Sequence, residues 1–257
     1  MPEAKKARTP SKPKLDPMHR DSPLWDEVDE ALKHEIAKRR PPKKLRERAS
    51  KVADELEKEF PGAFCALNFK TPLQLLVATI LSAQCTDERV NQVTPDLFKV
   101  YRNARDFANA PEGELEEAIR PTGFFNNKAK AIRAAARTIV EEFGGKVPRA
   151  MPELLRLRGT ARKTANVVRM HAYGLPGISV DTHFSRIMQR LGLTAEKDPV
   201  KIEADAAALL PPERWTQFTD AIILHGRKTC QSRSPKCGAC CIASLCPSAG
   251  KFEKPAK

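Results

Sequence analysis

Residues 223–246 read ILHGRKTCQSRSPKCGACCIASLC, and four of their cysteines stand in the pattern C-x6-C-x2-C-x5-C. The four are Cys230, Cys237, Cys240 and Cys246. Soft thiolates suit iron–sulfur clusters and zinc, and four within one short loop can surround a single metal centre. A disulfide framework is a poor alternative, because the rest of the chain is cysteine-sparse. Structural zinc stays open, although four-cysteine zinc sites usually come as two C-x2-C pairs and this loop has only one.

The charge balance points to a polyanionic partner. The 257 residues include 45 Lys and Arg against 32 Asp and Glu, for a net charge of +13. Such an excess is suited to phosphate, although a solvated basic surface is the simpler reading. The sequence has no apolar run of the roughly 20 residues that span a bilayer, and no secretory signal pattern. We therefore expect no membrane contact and an intracellular, cytoplasmic location.

The first 42 residues differ in composition from the rest of the chain. Basic residues alternate there with prolines, so we expect a largely disordered extension that adds non-specific affinity for nucleic acid or is merely solvated. The basic residues near its start are Lys5, Lys6, Arg8, Lys12 and Lys14. Within the same segment, Trp25, Val28, Leu32 and Ile36 recur at helical spacing and predict one short amphipathic helix.

From Lys43 onward, apolar residues recur with a helical period and strand-like alternation is essentially absent. Thr71-Pro72 is a typical helix start, and Thr86-Asp87 is another. Further helices are predicted from Asn126 to Gly144 and in the segments 152–157, 161–173, 182–191 and 212–225. The sequence therefore predicts an all-α fold.

The block 223–246 resembles the cluster loop of the endonuclease III family of DNA glycosylases, whose members carry a [4Fe–4S] cluster. The resemblance implies that the four spaced cysteines are the cluster ligands. Cys241 falls outside the family spacing and is expected to be a bystander. Cys65 and Cys85 lie far from this block in the sequence and are interpreted as small buried apolar residues.

Residues 157–165, LRGTARKTA, resemble the helix-hairpin-helix motif of the same family, whose usual form is LPGVGRKTA. In that motif a glycine-rich turn brings backbone N–H groups to a DNA phosphate. The resemblance implies DNA contacts at Gly159, Ala161 and Arg162. Arg158 and Thr160 depart from the motif. So does Ala161, which replaces a glycine, and we expect this to reshape the turn if positive φ is needed there. An ordinary helix start is the alternative.

Lys163 is followed eighteen residues later by Asp181, within a VDTH segment that resembles the family's catalytic motif. A lysine paired with this aspartate is typical of the bifunctional members. The resemblance implies that the Lys163 amine attacks the sugar C1′ and forms a Schiff base, while Asp181 stabilises positive charge at C1′. The same segment places His183 at the DNA. Without the family likeness, Lys163 is a solvated helix residue and Asp181 a helix cap.

Two loops and one basic segment complete the likeness. LSAQCTD at 81–87 resembles the family loop whose glutamine, here Gln84, fills the space left by an extruded nucleotide. GFFN at 123–126 resembles the loop that wedges the opposite strand, here with Phe124. Arg227, just before the cysteines, is expected to grip a phosphate. A helix cap and a buried aromatic pair are the alternatives for the two loops.

The resemblance covers about 43–246 and implies two helical domains with a DNA-binding cleft between them. These are a six-helix domain at 66–178, containing the helix-hairpin-helix, and a cluster domain made from 43–65 and 179–257. The implied function is a bifunctional DNA glycosylase and abasic-site lyase that removes oxidised or ring-saturated pyrimidines. The expected partner is double-stranded DNA with damaged pyrimidines or abasic sites, bound by a monomer. A mismatch-directed glycosylase and a non-catalytic DNA-binding iron–sulfur protein are the alternatives.

Overall fold

A computed structural model of the protein describes residues 16–252. Over this range the chain forms thirteen α-helices and five short 3-10 helices, and no strand, so the all-α prediction is confirmed. The α-helices are α1 (Pro17–Arg20), α2 (Glu30–Ala37), α3 (Lys43–Glu59), α4 (Pro72–Leu81), α5 (Asp87–Val100), α6 (Ala104–Ala108), α7 (Glu114–Ile119), α8 (Phe125–Glu142), α9 (Met151–Leu154), α10 (Arg162–Tyr173), α11 (Thr182–Arg190), α12 (Pro199–Ala207) and α13 (Trp215–Lys228). Within residues 16–252, no helix has both the length and the hydropathy needed to cross a membrane.

The helix boundaries follow local capping chemistry. Thr71 accepts a hydrogen bond from the backbone N–H of Gln74 and Pro72 opens α4, as the sequence predicts. Thr86 caps α5 in the same way through Arg89. α10 ends at Gly174, whose φ of 63° is the left-handed conformation that glycine adopts without strain. The predicted helix at 152–157 is shorter, since α9 covers only Met151–Leu154.

Two hydrophobic clusters organise these helices. The first is built by α4 to α10 and includes Leu75, Phe107 and Ile132. The second is built by α2, α3 and α11 to α13 and is centred on Phe184 and Trp215. The chain therefore starts on the second cluster, passes through the first, and returns to the second. The division into domains at 66–178 and at 43–65 with 179–257 stays a prediction.

The N-terminal segment contributes to the second cluster. Val28, Leu32 and Ile36 are buried on one face of the segment that includes α2, and Asp29 caps the helix by accepting from the backbone N–H of Leu32. Each such apolar side chain contributes about 1.5–3 kcal/mol when fully buried. The prediction of a largely disordered extension over 1–42 is therefore wrong for residues 16–42, because the apolar face of this segment packs against the second cluster.

The same segment also reaches α10. Arg169 donates to the backbone carbonyl of Glu27 at 2.6 Å, and Arg39 pairs with Asp205 of α12 at 2.8 Å. The N-terminal segment thus lies against helices of both clusters. The predicted basic run from Lys5 to Lys14 lies outside the described residues.

Candidate active site and DNA-binding face

Lys163 is exposed in the first turn of α10, directly after the predicted hairpin turn. Gly159 in that turn has a φ of +83°, and a Cβ there would lie 3.0 Å from the Cβ of Ala131, so only glycine fits. Ala161 has a φ of −82° and a ψ of 170°, an ordinary extended conformation. The expected reshaping at Ala161 is therefore absent, because this position does not need positive φ. Ala161 offers no side-chain cap, which leaves the first N–H groups of α10 pointing outward.

Arg162 is turned away from the solvent. Its guanidinium donates to Glu203 at 2.6 Å and to Asp29 at 3.2 Å. Burial raises the pKa of Glu203, and the charge of Arg162 opposes that effect. Asn166 donates to the same carboxylate at 3.0 Å. This buried network ties α10 to α2 and α12 and engages the Arg162 guanidinium, while the DNA contact of Arg162 stays a prediction for its backbone N–H.

Asp181 caps α11. Its Oδ1 accepts a hydrogen bond from the backbone N–H of Phe184 at 2.7 Å, and the side chain is half-buried. The carboxylate is therefore held in one orientation by the helix it starts. His183, in the first turn of α11, is half-buried with its Nδ1 3.2 Å from the guanidinium of Arg186.

A single cleft brings Lys163 and Asp181 together between the two clusters. One wall carries Lys163, Val167 and His171, which recur every four residues on α10 and so share one face. The opposite wall comes from α13. The other lining residues are Phe64, Cys65, Ala66, Leu67, Thr79, Ser82, Asp87, Ser179, Asp181, Asp220, Ile223, Leu224 and Arg227. Of the predicted site residues, the cleft thus contains Lys163, Asp181 and Arg227.

Two features of the cleft differ from the sequence interpretation. Arg227 is exposed but pairs with Asp87 of α5 at 2.8 Å, so a phosphate would have to share or displace that partner. Cys65 is only half-buried and lines the cleft, rather than lying in the core. Burial nevertheless raises the pKa of the Cys65 thiol to about 11, which makes this thiol a poor nucleophile.

Gln84 and Phe124 share an unusual backbone conformation. They are the two non-glycine residues with positive φ in residues 16–252, at 53° and 48°. Both side chains are exposed, Phe124 by 64%. A non-glycine residue in this region costs roughly 1–2 kcal/mol, and such strain is concentrated at functional sites. The two predicted DNA-probing residues are therefore the ones whose backbone the fold holds in a strained state.

Lys128 links the two loops that carry these residues, and sequence reasoning missed it. Its side chain is buried, with only 5% of the residue exposed. The Nζ donates to the backbone carbonyls of Leu81 and Thr122, both at 2.7 Å. Leu81 precedes Gln84 by three residues and Thr122 precedes Phe124 by two. Burial lowers the pKa of Lys128.

The four spaced cysteines line one cavity together with the apolar Ile187, Leu191 and Ile242. None of these four cysteines forms a disulfide bond. Cys241 is absent from this lining and half-buried. Among residues 16–252, no group of three or more His, Cys, Asp or Glu side chains is arranged for a single metal ion.

Side chains of α11 and α13 approach the cysteine cavity. Arg190 donates to the Sγ of Cys230 at 3.3 Å and to the backbone carbonyl of Gln231 at 2.8 Å. His225 has its Nε2 3.5 Å from the Sγ of Cys240. Burial lowers the pKa of His225 to about 4, so its ring is neutral near pH 7. Donors to sulfur around a group of thiolates are suited to compensate the negative charge of a bound metal centre.

Comparisons with known proteins agree with this geometry. Residues 77–212 match the family described as HhH-GPD superfamily base excision DNA repair protein. The chain is similar to endonuclease III of Synechocystis, with 57% identity over 205 residues that cover 79% of this chain and 94% of that one. It is also similar to endonuclease III of Escherichia coli K12, with 37% identity over 202 residues covering 76% and 92%.

Solved structures give the same picture. A non-covalent endonuclease III–DNA complex and a trapped endonuclease III–DNA covalent intermediate both match with a TM-score of 0.77 and 39% identity. Each match covers 80% of this chain and 97% of the other. A thermostable thymine-DNA glycosylase matches with a TM-score of 0.71 at 23% identity, a likeness in fold alone.

Proposed function

The chain belongs to the endonuclease III family of base excision DNA repair proteins, and from this premise we propose that Lys163 and Asp181 carry its chemistry. The protein is a DNA glycosylase and abasic-site lyase, in keeping with relatives that include an enzyme trapped covalently on DNA. The observation that carries the residue assignment is the cleft, in which an exposed lysine and a half-buried carboxylate meet between the two clusters. Both sit at the N-terminal ends of rigid helices.

The proposed reaction uses Lys163 as nucleophile. Its uncharged Nζ bonds to C1′ of the damaged nucleotide while the bond from C1′ to the base breaks, and the base leaves with the electron pair and takes up a proton. Loss of a proton from the nitrogen and opening of the sugar ring give a Schiff base. This electron sink makes a C2′ proton acidic, and its removal expels the 3′ phosphate. The C3′–O bond breaks with its electron pair on oxygen.

Asp181 is proposed to act on the sugar. One carboxylate oxygen is fixed by the N–H of Phe184, so the other is available to face positive charge that develops at C1′. A charge held in place before the reaction stabilises the transition state without reorganisation. This role applies while the bond to the base is breaking, and less so once the base is gone.

The DNA is proposed to bind across the face that carries the hairpin turn and the two strained loops. The N–H of Thr160 donates to the carbonyl of Leu157, so the other backbone N–H groups of the turn from Gly159 to Arg162 bind a phosphate, which sets the register of the duplex. Gln84 enters the space left by the extruded nucleotide, and Phe124 wedges the opposite strand. Arg227, which lines the cleft, and His183, two residues after Asp181, contact the backbone around the lesion.

The proposed substrates are duplexes with oxidised or ring-saturated pyrimidines, or with abasic sites, bound by a monomer inside the cell. Support for this class comes from the family membership and from a cleft that is lined by both Lys163 and Asp181. Single-turnover assays with one 5,6-dihydrothymine, one abasic site or an undamaged duplex test it. We expect base release and strand cleavage on the dihydrothymine duplex, strand cleavage alone on the abasic duplex, borohydride trapping on both, and neither reaction on the undamaged duplex. Base release confined to an undamaged mispaired thymine would instead identify a mismatch-directed enzyme.

A [4Fe–4S] cluster is proposed to be held by Cys230, Cys237, Cys240 and Cys246. The donor set fits, because four cysteine thiols that form no disulfide line one cavity and Arg190 donates to one of them. When bound, the cluster supplies four metal–thiolate bonds that fix the loop, a structural role. Iron and acid-labile sulfide in anaerobically purified protein are the expected result. Zinc without iron would refute it.

A further inference from the structure

One wall of the cleft contains an aromatic ring that the chemistry above does not use. Phe64 is 56% exposed, and of the large apolar side chains exposed within residues 16–252 it alone lines the cleft that contains Lys163. A large ring left open to solvent forgoes the free energy of burial, about 1.5–3 kcal/mol for Phe. An exposed aromatic beside a reacting centre therefore indicates a binding surface.

The ring of Phe64 is held in one orientation. It stacks on Phe69 with centroids 6.1 Å apart and an interplanar angle of 19°. Its other neighbour is His171, whose ring meets it in a T-shaped contact at 4.9 Å and 80°. Phe69 packs against the first hydrophobic cluster, so the Phe64 ring is supported by the protein core.

His171, which contacts this ring, also lies beside a buried carboxylate that has one oxygen without a hydrogen-bond partner. Asp220 of α13 is 7% exposed, and its Oδ1 lies 3.4 Å from the Nε2 of His171. The Oδ2 of Asp220 and the Nδ1 of His171 are buried, and neither has a hydrogen-bond partner. A buried polar atom without a partner costs about 1–3 kcal/mol, so such atoms require an explanation such as a ligand.

The same carboxylate lies close to the proposed chemistry. Asp220 lines the same cleft as Lys163, Asp87 and Cys65. His171 lies two helical turns beyond Lys163 on the same face of α10. An extruded nucleotide whose C1′ is at Lys163 would thus place its base toward Phe64 and Asp220.

We propose that Phe64, His171 and Asp220 form the subsite that binds the extruded base, with Phe64 stacking on its face and Asp220 accepting an N–H from its edge. The ligand class is a pyrimidine that presents a ring N–H donor, such as N3–H of a thymine- or uracil-derived lesion. His171 fixes the carboxylate and supports the Phe64 ring, so it is a positioning residue. This inference rests on the proposed function of the cleft.

The test compares two substrates of one enzyme. A duplex with 5,6-dihydrothymine requires a bound base, whereas the same duplex with an abasic site has no base to bind. For Phe64→Leu, which keeps apolar bulk and removes the flat face, we expect the ratio of the base-removal rate to the abasic-cleavage rate to fall about tenfold. Phe64→Tyr keeps the ring and should restore the ratio. Val100→Ala, at an exposed apolar residue outside the cleft, is the control with an unchanged ratio.

Asp220→Asn is the second variant, since it replaces one carboxylate oxygen by a donor that opposes the N–H of the base. We expect the same ratio to fall, with a larger KM for the dihydrothymine duplex. An unchanged ratio in both Phe64→Leu and Asp220→Asn would overturn the subsite. An equal loss on both substrates, with a lowered melting temperature, would show a purely structural role and would also overturn it. Failure of the wild-type protein to be trapped on abasic DNA would instead refute the proposed function itself.

Discussion

The cleft and the cysteine cavity lie at opposite ends of α11 and differ in how their residues are held. At the first turn of α11, Asp181 is fixed by one backbone hydrogen bond, and its partner Lys163 is exposed on another helix. At the last turn, Arg190 is tied to Cys230 and to the loop beyond it. Lys163 contributes little to packing because it is exposed, whereas Arg190 connects α11 to the cysteine loop through hydrogen bonds. Substitutions should therefore separate chemistry at one end from folding at the other.

The largest effect on folding is expected at the cysteines. Cys237→Ser removes one of the four thiols that line the cavity, so a bound cluster loses a ligand and the loop loses its restraint. We expect loss of the yellow-brown colour, of iron and of most folded protein. Cys241→Ser is the matched control, one residue beyond Cys240 and outside the cavity, and should retain the colour. Full retention of iron in Cys237→Ser would contradict the proposal that Cys237 is a cluster ligand.

A large effect on chemistry without unfolding is expected at Asp181. Asn caps helices about as well as Asp, so Asp181→Asn should keep α11 and the melting temperature. Because the carboxylate acts while the bond to the base breaks, base removal should fall by at least about 100-fold, a typical loss for one electrostatic stabiliser. Cleavage at a preformed abasic site should fall much less. Equal residual rates on the two substrates would contradict the role assigned to Asp181.

An intermediate effect is expected at Lys128. Lys128→Met keeps the apolar stem but leaves the carbonyls of Leu81 and Thr122 without their donor, at a cost of about 1–3 kcal/mol per buried group. The loops carrying Gln84 and Phe124 should then be less well positioned. Fluorescence of 2-aminopurine placed opposite the lesion should report a weaker response on binding. Lys130→Met, at an exposed lysine on the same helix, should behave as wild type; an identical response in both variants would refute the linking role.

The smallest effect is expected at the start of the chain. Deleting residues 1–15 removes five basic residues. The log–log salt slope of DNA binding falls by about 0.9 for each phosphate that the protein no longer neutralises. We expect a shallower slope on undamaged duplex and unchanged lesion chemistry, and superimposable salt series would rule out a DNA role for this segment. Deleting 1–42 should in addition lower the melting temperature, because Val28, Leu32 and Ile36 are buried.

The sequence predicted those features that depend on neighbouring residues. Thr71-Pro72 and Thr86-Asp87 start helices because a cap and the first turn lie within four residues of each other. The short helices α6, α7 and α12 were missed, since five to nine residues give little periodicity. The apolar face of 28–36 was recognised, but its burial depended on a second cluster formed by residues 49–63 and 178–242.

The parts of the site that sequence reasoning missed depend on distant partners. Arg162 was predicted at the DNA because its segment resembles the helix-hairpin-helix motif, and the ion pair of its guanidinium with Glu203, 41 residues later, had no local signal. Lysine is a residue type that is usually exposed. Lys128 is buried because the two loops that accept its hydrogen bonds meet at its side chain. Phe64, His171 and Asp220 come from distant parts of the sequence. The one available signal was the four-residue spacing of 163, 167 and 171 on α10.

Lys163 is proposed to form the covalent bond to DNA, and the folding of α10 is expected not to depend on this lysine. Borohydride reduction on abasic duplex tests this most directly, because only a Schiff base becomes a permanent link. We predict trapping of the wild-type protein and of Lys51→Ala, an exposed lysine on α3, and no trapping of Lys163→Ala. Lys163→Ala should still bind damaged DNA and melt at the wild-type temperature. Trapping of Lys163→Ala at the wild-type level would contradict the account.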